Sequence, residues 1–572
     1  MDFKQIKVIL KKDFTGFKKV KVAILADSST QYLTQAIRGI GYNRKLDIEV
    51  WEAEYDAIDL VISGYQLYDF KPDFTIIFLS VQKLRTKFYK SDSSQDFAES
   101  ILAYLKNISS IISSNIKTNF LIINFPDILD PVFGNYSGKV ISSFSYQQKK
   151  INLNLMHWAQ SDTSISLIDL CGLHAMHGNA NTIDARLYIS SDSVFSLDFT
   201  INMANNIVQV IDTYTGRSKK CLILDLDNTL WGGIIGDDGL ENIRIGDLGI
   251  GKAFTEIQLW AKALKDRGIV LAVCSKNDEA NAREPFDKHP DMLLRAEDIT
   301  VFVANWSNKH DNIKYIQSVL NIGFDSMVFI DDSSFERNMV RTYLPEVNVP
   351  ELPDDPAEYL AFLNGLNLFE TNAYTKEDKE RTQLYKAEVL RNEAIKEYTS
   401  EADFLKSLDM VCEVEPFTSF TIPRVAQLTQ RSNQFNLLTK RYTEEDVKRM
   451  TEDYAKYHTF SFALADKYGS HGLVGIIILE KKDDKIMFID TWIMSCRVLK
   501  RGLEQFVLNE IMQFAKHHKF EKVIGEYIET KKNGMVRDHY KNLGFTPHGK
   551  LWYCNTMNYE SKKCHIKKSD KL

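Results

Sequence analysis

Short apolar runs that end in polar residues recur along the chain, and their spacing separates three patterns. In the first, Lys21-Val-Ala-Ile-Leu25, Phe74-Thr-Ile-Ile-Phe78, Phe120-Leu-Ile-Ile-Asn124 and Ser164-Ile-Ser-Leu-Ile168 read as buried strands. Helical stretches separate them, one running through Ile37 and another starting near Ser94. In the second, Leu222-Ile-Leu-Asp225, Ile269-Val-Leu-Ala-Val-Cys274 and Met327-Val-Phe-Ile330 behave the same way. Between them, Phe254, Ile257, Ala261 and Leu264 line one helix face that Gly268 stops, and Ile313, Ile316 and Leu320 line another. Strands alternating with helices predict parallel, doubly wound sheets whose functional groups gather at the carboxyl edge. The third pattern differs. Thr459 to Leu464, Leu473 to Leu479 and Ile486 to Met494 read as consecutive antiparallel strands. A helix from Leu503 to His517, a strand from Lys522 to Ile528 and a last helix ending at His539-Tyr540 follow, before Leu543-Gly544-Phe545.

These patterns predict an α/β protein with units at 1–217, 218–352 and 405–560, a helical linker at 353–404 and a basic tail at 561–572. Pro353-Asp-Asp-Pro356 marks the break into the linker. Glu377 to Glu397, rich in helix formers of mixed charge, predicts a bridging helix with a solvated charged face. A chain of 572 residues is long enough for several cores, and 44% hydrophobic with 26% charged residues is ordinary for a globular protein. The net charge of -6 gives no reason to expect a nucleic-acid partner. No apolar run is long enough to span a bilayer, no membrane partner is expected, and Met1-Asp-Phe-Lys-Gln-Ile-Lys has no signal-peptide core. Seven scattered cysteines form neither a disulfide ladder nor a metal cluster, which suits a reducing cytoplasm.

The chemistry concentrates in the second pattern. Asp225 and Asp227 end an apolar strand one residue apart, followed by Thr229 and then Trp231-Gly-Gly. Paired carboxylates there suit attack on phosphorus: one as nucleophile, the other as acid and base, both near a cation that screens phosphate charge. The parts such a reaction needs follow in order: Ser275 and Lys276 at the end of the next strand, Lys309 at a helix start, and Asp331-Asp332 after the third strand.

This ordered set resembles the haloacid dehalogenase (HAD) superfamily of phosphotransferases. The resemblance implies that Asp225 becomes an aspartyl phosphate and that Asp227 protonates the leaving oxygen and then activates water. Ser275 would bond the phosphoryl group, Lys309 would offset its charge, and Asp225, Asp227, Asp331 and Asp332 would hold Mg2+. The longer wording is similar to the FkbH-like family. It runs from Asp225-Leu-Asp-Asn-Thr-Leu-Trp-Gly-Gly through Asp237-Asp238-Gly239, Cys274-Ser275-Lys276-Asn277, Asn305-Trp306-x-x-Lys309 and Asp331-Asp332-Ser-Ser-Phe-Glu336-Arg337. That resemblance implies dephosphorylation of 1,3-bisphosphoglycerate and loading of a glyceryl unit onto an acyl carrier protein, as in polyketide extender biosynthesis. Thr229 and Asn277 would line the substrate. Cys274, beside the phosphate site, would hold the glyceryl group as a thioester with a lowered pKa, and Cys496 is the competitor. Gln430 to Tyr442, rich in amides and guanidinium groups, also matches the family wording and could grip a phosphorylated ligand.

The outer patterns carry their own resemblances. Asp27-Ser28 after the first strand resembles the SGNH hydrolase fold, but the late Asp-x-x-His of that family is missing. Asp169 and His174 have the wrong spacing, so Ser28 reads as a helix cap and His174 and His177 as structural. The third pattern resembles the GNAT acyltransferase fold. Its loop before the long helix, here Cys496-Arg497-Val-Leu-Lys500-Arg501-Gly502-Leu-Glu504, would take the phosphate of a phosphopantetheine arm through Arg497, Arg501 and Gly502. Two further functions are consistent with the residues: a stand-alone phosphatase of a small phosphomonoester, and a coenzyme A-dependent acyltransferase.

Overall fold

Three β-sheets organise the chain. A computed structural model describes residues 1–569 apart from 376, 377, 379, 396, 397, 433, 496, 497, 500 and 531. Two compact units, Met1–Tyr214 and Thr215–Leu572, divide it.

The first unit is built on five parallel strands: β1 (Lys18–Ala26), β2 (Leu46–Glu52), β3 (Phe74–Phe78), β4 (Asn119–Ile123) and β5 (Ile165–Ile168). Their order is β2-β1-β3-β4-β5, a doubly wound parallel sheet. Alternate residues of β1 enter different cores. Val20, Val22 and Ile24 pack with the helices Gln31–Asn43 and Leu197–Tyr214, while Ala23 and Leu25 pack with Phe97–Asn115 and Phe144–Ser161. Two-sided burial is why these strands read as nearly unbroken apolar runs. β2 goes beyond the predicted strands: only Leu46 and Ile48 of its seven residues are fully buried, which leaves a weak apolar signal.

Thr215–Leu572 contains the other two sheets. β6 (Cys221–Leu224), β7 (Val270–Ser275), β8 (Ile299–Ala304) and β9 (Met327–Ile330) form an all-parallel, HAD-like sheet in the order β8-β7-β6-β9. β10 (Val411–Glu415), β11 (Tyr457–Asp466), β12 (Gly469–Lys481), β13 (Ile486–Met494), β14 (Lys522–Glu526), β15 (Thr546–His548), β16 (Leu551–Asn555) and β17 (Lys567–Lys568) form a mixed, GNAT-like sheet. β10 to β13 pair antiparallel, and β13 and β14 run parallel with the helix Leu503–His517 between them in sequence. Among the described residues, no helix is long and apolar enough to cross a membrane.

The helix Arg381–Ala394 packs on β7, β8 and the helix Lys309–Leu320, and also on β12. The expectation of a solvated charged face fails here. Arg391 is 1% exposed and holds both oxygens of Asp466 at 2.7 Å, with Glu388 and His471 completing a buried network. Buried charges persist only when paired in this way.

Candidate active site

Each strand of the HAD-like sheet hands one functional group to its carboxyl edge. β6 continues its ladder past Leu224, because the Asp225 N–H donates to the Ile330 carbonyl at 3.0 Å, and this sets Asp225 beside the end of β9. Asn305 N–H donates to the Ser275 carbonyl at 3.1 Å, carrying the β7–β8 pairing up to the turn before Lys309.

Lys309 lies at the centre. Its Nζ is 2.8 Å from Asp225 Oδ1 and 2.6 Å from Asp331 Oδ2, and the residue is only 3% exposed. Burial opposes the charge on this ammonium, but the two carboxylates outweigh it and hold the Lys309 pKa above its ordinary value. Asp225, Asp331 and Asp332 each offer a carboxylate oxygen, all within 4.8 Å of one another. Burial, followed by the charge of Asp225, pushes the Asp331 carboxyl up to about 7 and that of Asp332 up to about 6. Ser333 N–H donates to Asp331 Oδ1 at 2.8 Å, and Asp332 N–H donates to Thr229 Oγ1 at 3.2 Å. Thr229 thus braces the acidic turn from below, although the sequence suggested that it lines the substrate.

Asp227 stands outside the three-carboxylate cluster. Its Oδ1 accepts from Trp231 Nε1 at 2.9 Å and from the Ile235 N–H at 3.0 Å, and its Oδ2 accepts from Asn277 Nδ2 at 2.7 Å. Burial raises its pKa despite these donors. Asn277, expected to line the substrate, therefore grips a carboxylate, and it also reaches Ser275 Oγ at 3.4 Å. The loop that makes this possible turns at Asn228, whose φ of 52° is left-handed and whose Oδ1 accepts from the Gly233 N–H at 3.0 Å. Ser275 is buried beside these groups.

Two contributors escaped the sequence reading. Trp231 stands in the motif wording without a role, and only the return of the loop brings its indole N–H to Asp227. Arg337, 4% exposed, donates to the main-chain carbonyls of Asp331 and Asp332 at 2.8 and 2.7 Å and so locks the acidic turn. Its position six residues after Asp331, on the helix Ser334–Tyr343, is a signal that could have found it.

Cys274 departs from expectation. It is fully buried among Cys221, Ile223, Val270 and Phe329, and its Sγ approaches the Lys309 carbonyl at 3.7 Å. Burial pushes its thiol pKa up, contrary to the expected lowering, because desolvation of a thiolate outweighs the nearby ammonium. Cys496 and Arg497 lie outside the described residues. Arg501 is held by Glu388 and by His471, so its charge is already matched. Gly502, with φ 81°, precedes the helix Leu503–His517 without a side-chain cap. It borders a cavity of about 440 Å³ whose walls include Phe435, Gln505, His539 and Cys564.

In the first unit, Ser28 does not cap the helix Gln31–Asn43. Thr30 takes that position, and the Ser28 hydroxyl is buried without a hydrogen-bond partner among the described residues. His174 meets Asn179 at 3.3 Å and His177 meets Asn202 at 3.1 Å, while Asp169 caps the helix Leu170–His177.

A parallel sheet that delivers an aspartate, a second carboxylate two residues on, a buried lysine and an acidic turn to one edge defines a HAD-type phosphatase. The solved structure of the N-terminal part of the protein BF1531 from Bacteroides fragilis, containing a phosphatase domain complexed with Mg, is 47% identical. It covers 65% of this chain and 100% of its own, with a TM-score of 0.63. A family model described as FkbH, N-terminal domain, matches residues 21–212. The chain belongs to the FkbH-like family. Ard1 from Thermoplasma volcanium aligns at 16% identity over 25% of this chain and 95% of its own, with a TM-score of 0.20. Spermidine N-acetyltransferase from Vibrio cholerae, in complex with CoA and spermine, aligns at 10% identity over 26% and 96%, also with a TM-score of 0.20. No curated protein matches the chain.

Proposed function

We propose that this chain is a Mg2+-dependent phosphatase that removes phosphate from 1,3-bisphosphoglycerate and loads the glyceryl unit onto an acyl carrier protein. The observation that carries the phosphatase half is the cluster of Asp225, Asp331 and Asp332, with Lys309 bonded to Asp225 and Asp331. The donor set is all hard oxygen, and two of its carboxyls are pushed up by burial and then by the charge of Asp225, an environment that a divalent cation relieves. Mg2+ held by Asp225, Asp331 and Asp332 supplies charge neutralisation to an incoming phosphate.

The residues act in two steps. An Asp225 oxygen attacks phosphorus, the bond to the ester oxygen breaks, and Asp227 gives that oxygen a proton. Asp227 then takes a proton from water, which attacks the aspartyl phosphate and regenerates the Asp225 carboxylate. Lys309 holds the Asp225 carboxylate in place and offsets the anionic phosphoryl group, which Ser275 meets with its hydroxyl.

For the acyl half, burial of Cys274 favours a thiol brought by the partner. The pantetheine thiol of the carrier attacks the acyl carbon of 1,3-bisphosphoglycerate, the bond from that carbon to the phosphate oxygen breaks, inorganic phosphate leaves with the thiol proton, and a thioester results. The cavity beside Gly502 supports this reading: it is of small-ligand size and opens at an uncapped helix start. The deciding experiment incubates the protein with Mg2+, 1,3-bisphosphoglycerate and a holo carrier protein, then weighs the carrier intact. A carrier heavier by one glyceryl group supports the reading. Free phosphate with an unchanged carrier leaves a stand-alone phosphatase and removes the transfer.

A further inference from the structure

A carboxylate offers about four lone-pair positions, two on each oxygen. On Asp227 three are filled among the described residues. Trp231 Nε1 at 2.9 Å and the Ile235 N–H at 3.0 Å take both positions on Oδ1, and Asn277 Nδ2 at 2.7 Å takes one on Oδ2. A single position remains, on Oδ2. Trp231 is fully buried, with its ring 6.1 Å edge-on to Phe286, so its N–H is held by the core of the HAD-like sheet. Main-chain pairing between Asp227 and Trp231 fixes the same turn from the backbone side.

We propose that Trp231 is a positioning residue. Together with the Ile235 N–H it saturates Oδ1 and stops the carboxylate from rotating, so that the proton exchanged in catalysis travels on Oδ2. Asn277 sets the direction of that oxygen. This rests on the phosphatase reading, in which Asp227 protonates the leaving alkoxide in the first step and deprotonates water in the second. A freely rotating carboxylate would share its time between four positions, of which one faces the reaction. The indole N–H is thus a steering contact that touches neither substrate nor cation.

The test compares two substrates with different leaving groups. 3-Phosphoglycerate expels an alkoxide that needs a proton, whereas p-nitrophenyl phosphate expels a phenolate that leaves unaided. W231F keeps an aromatic ring in the core and removes the donor together with part of the buried ring volume. Losing one hydrogen bond to a charged group predicts a fall in kcat of about tenfold to a hundredfold on 3-phosphoglycerate, with KM within about twofold. On p-nitrophenyl phosphate the first step survives and the second slows, so acid-quenched protein carries more aspartyl phosphate than the wild type. N277A, which frees Oδ2, gives the same pattern and serves if W231F fails to fold. An unchanged kcat, or a lower kcat without added phosphoenzyme, overturns the proposal. If the wild type itself never forms phosphoenzyme, the phosphatase reading falls as well, and the two failures are distinguishable.

Discussion

The carboxyl ends of β6 and β1 present the same local design with different outcomes. Each is a buried parallel strand that ends in an aspartate. At β6, neighbouring strands deliver a lysine and two further carboxylates, and Lys309 bonds the Asp225 carboxylate directly. At β1, Asp27 Oδ1 accepts from the Ser80 N–H at 2.8 Å, and burial pushes its carboxyl up to about 6. The nearby Lys83 donates to the Asp27 main-chain carbonyl and to Tyr55 at 2.6 Å, so it does not bond that carboxylate. Among the described residues Ser28 has no base within its hydrogen bonds, and His174 and His177 are engaged by asparagines. A sheet edge supplies position. Chemistry requires that the other strands send complementary charge to the same point.

That contrast can be broken in four ways. The largest effect is expected for Asp225→Asn, which removes the proposed nucleophile and should lower phosphate release by about a thousandfold or more. Release measured with p-nitrophenyl phosphate and Mg2+ checks it, and undiminished turnover would reject Asp225. Lys309→Ala should come next. It leaves two buried carboxylates without their cation, costing about 3–5 kcal/mol of stability in the absence of metal. Chemical denaturation with and without Mg2+ would read the loss, and a variant as stable as wild type would mean that Lys309 is not the counter-charge.

The third effect concerns pH. Asp331 and Asp332 titrate higher in the folded chain than an unfolded carboxylate does. Their contribution to stability is therefore full below about pH 4 and is lost as pH rises through 6 and 7. A cation removes that loss, so the gain in melting temperature on adding Mg2+ should widen between about pH 5 and pH 8. A constant gain would argue against Asp331 and Asp332 as ligands. The smallest effect belongs to the other edge: Ser28→Ala should leave phosphate release within about twofold, and a fluorophosphonate probe should not label Ser28. Labelling there would erase the contrast between the two edges.

Much of this was legible in one dimension. Short apolar runs bounded by Asp225, Ser275 and Asp331 identified three of the four HAD-like strands, because a strand buried on both faces must be apolar throughout. β8 was missed: it begins Ile299-Thr-Val, and the polar turn before it gives no sharp start. Arg391 and Glu388 read as surface charges because helical periodicity reports residue type and not the Asp466 that waits on another strand. Cys274 illustrates the converse. Its neighbours in sequence suggested an activated thiol, while alternation along β7 places Cys274 with Val270 and Ala272 in the core, and Ser275 reaches the edge because the strand ends there.

By itself, the order of residues determined which groups could attack phosphorus, and in what succession along the chain the acids, serine and lysine arrive. Those properties are local: an aspartate after a buried strand lies at that strand's end wherever the sheet goes. The tertiary structure decided the rest. Lys309 reaches between Asp225 and Asp331, Trp231 turns its N–H onto Asp227, and Arg501 is neutralised before any phosphate could reach it. Each of these depends on the distance between side chains far apart in sequence, and electrostatic and hydrogen-bond energies are set by that distance and by burial.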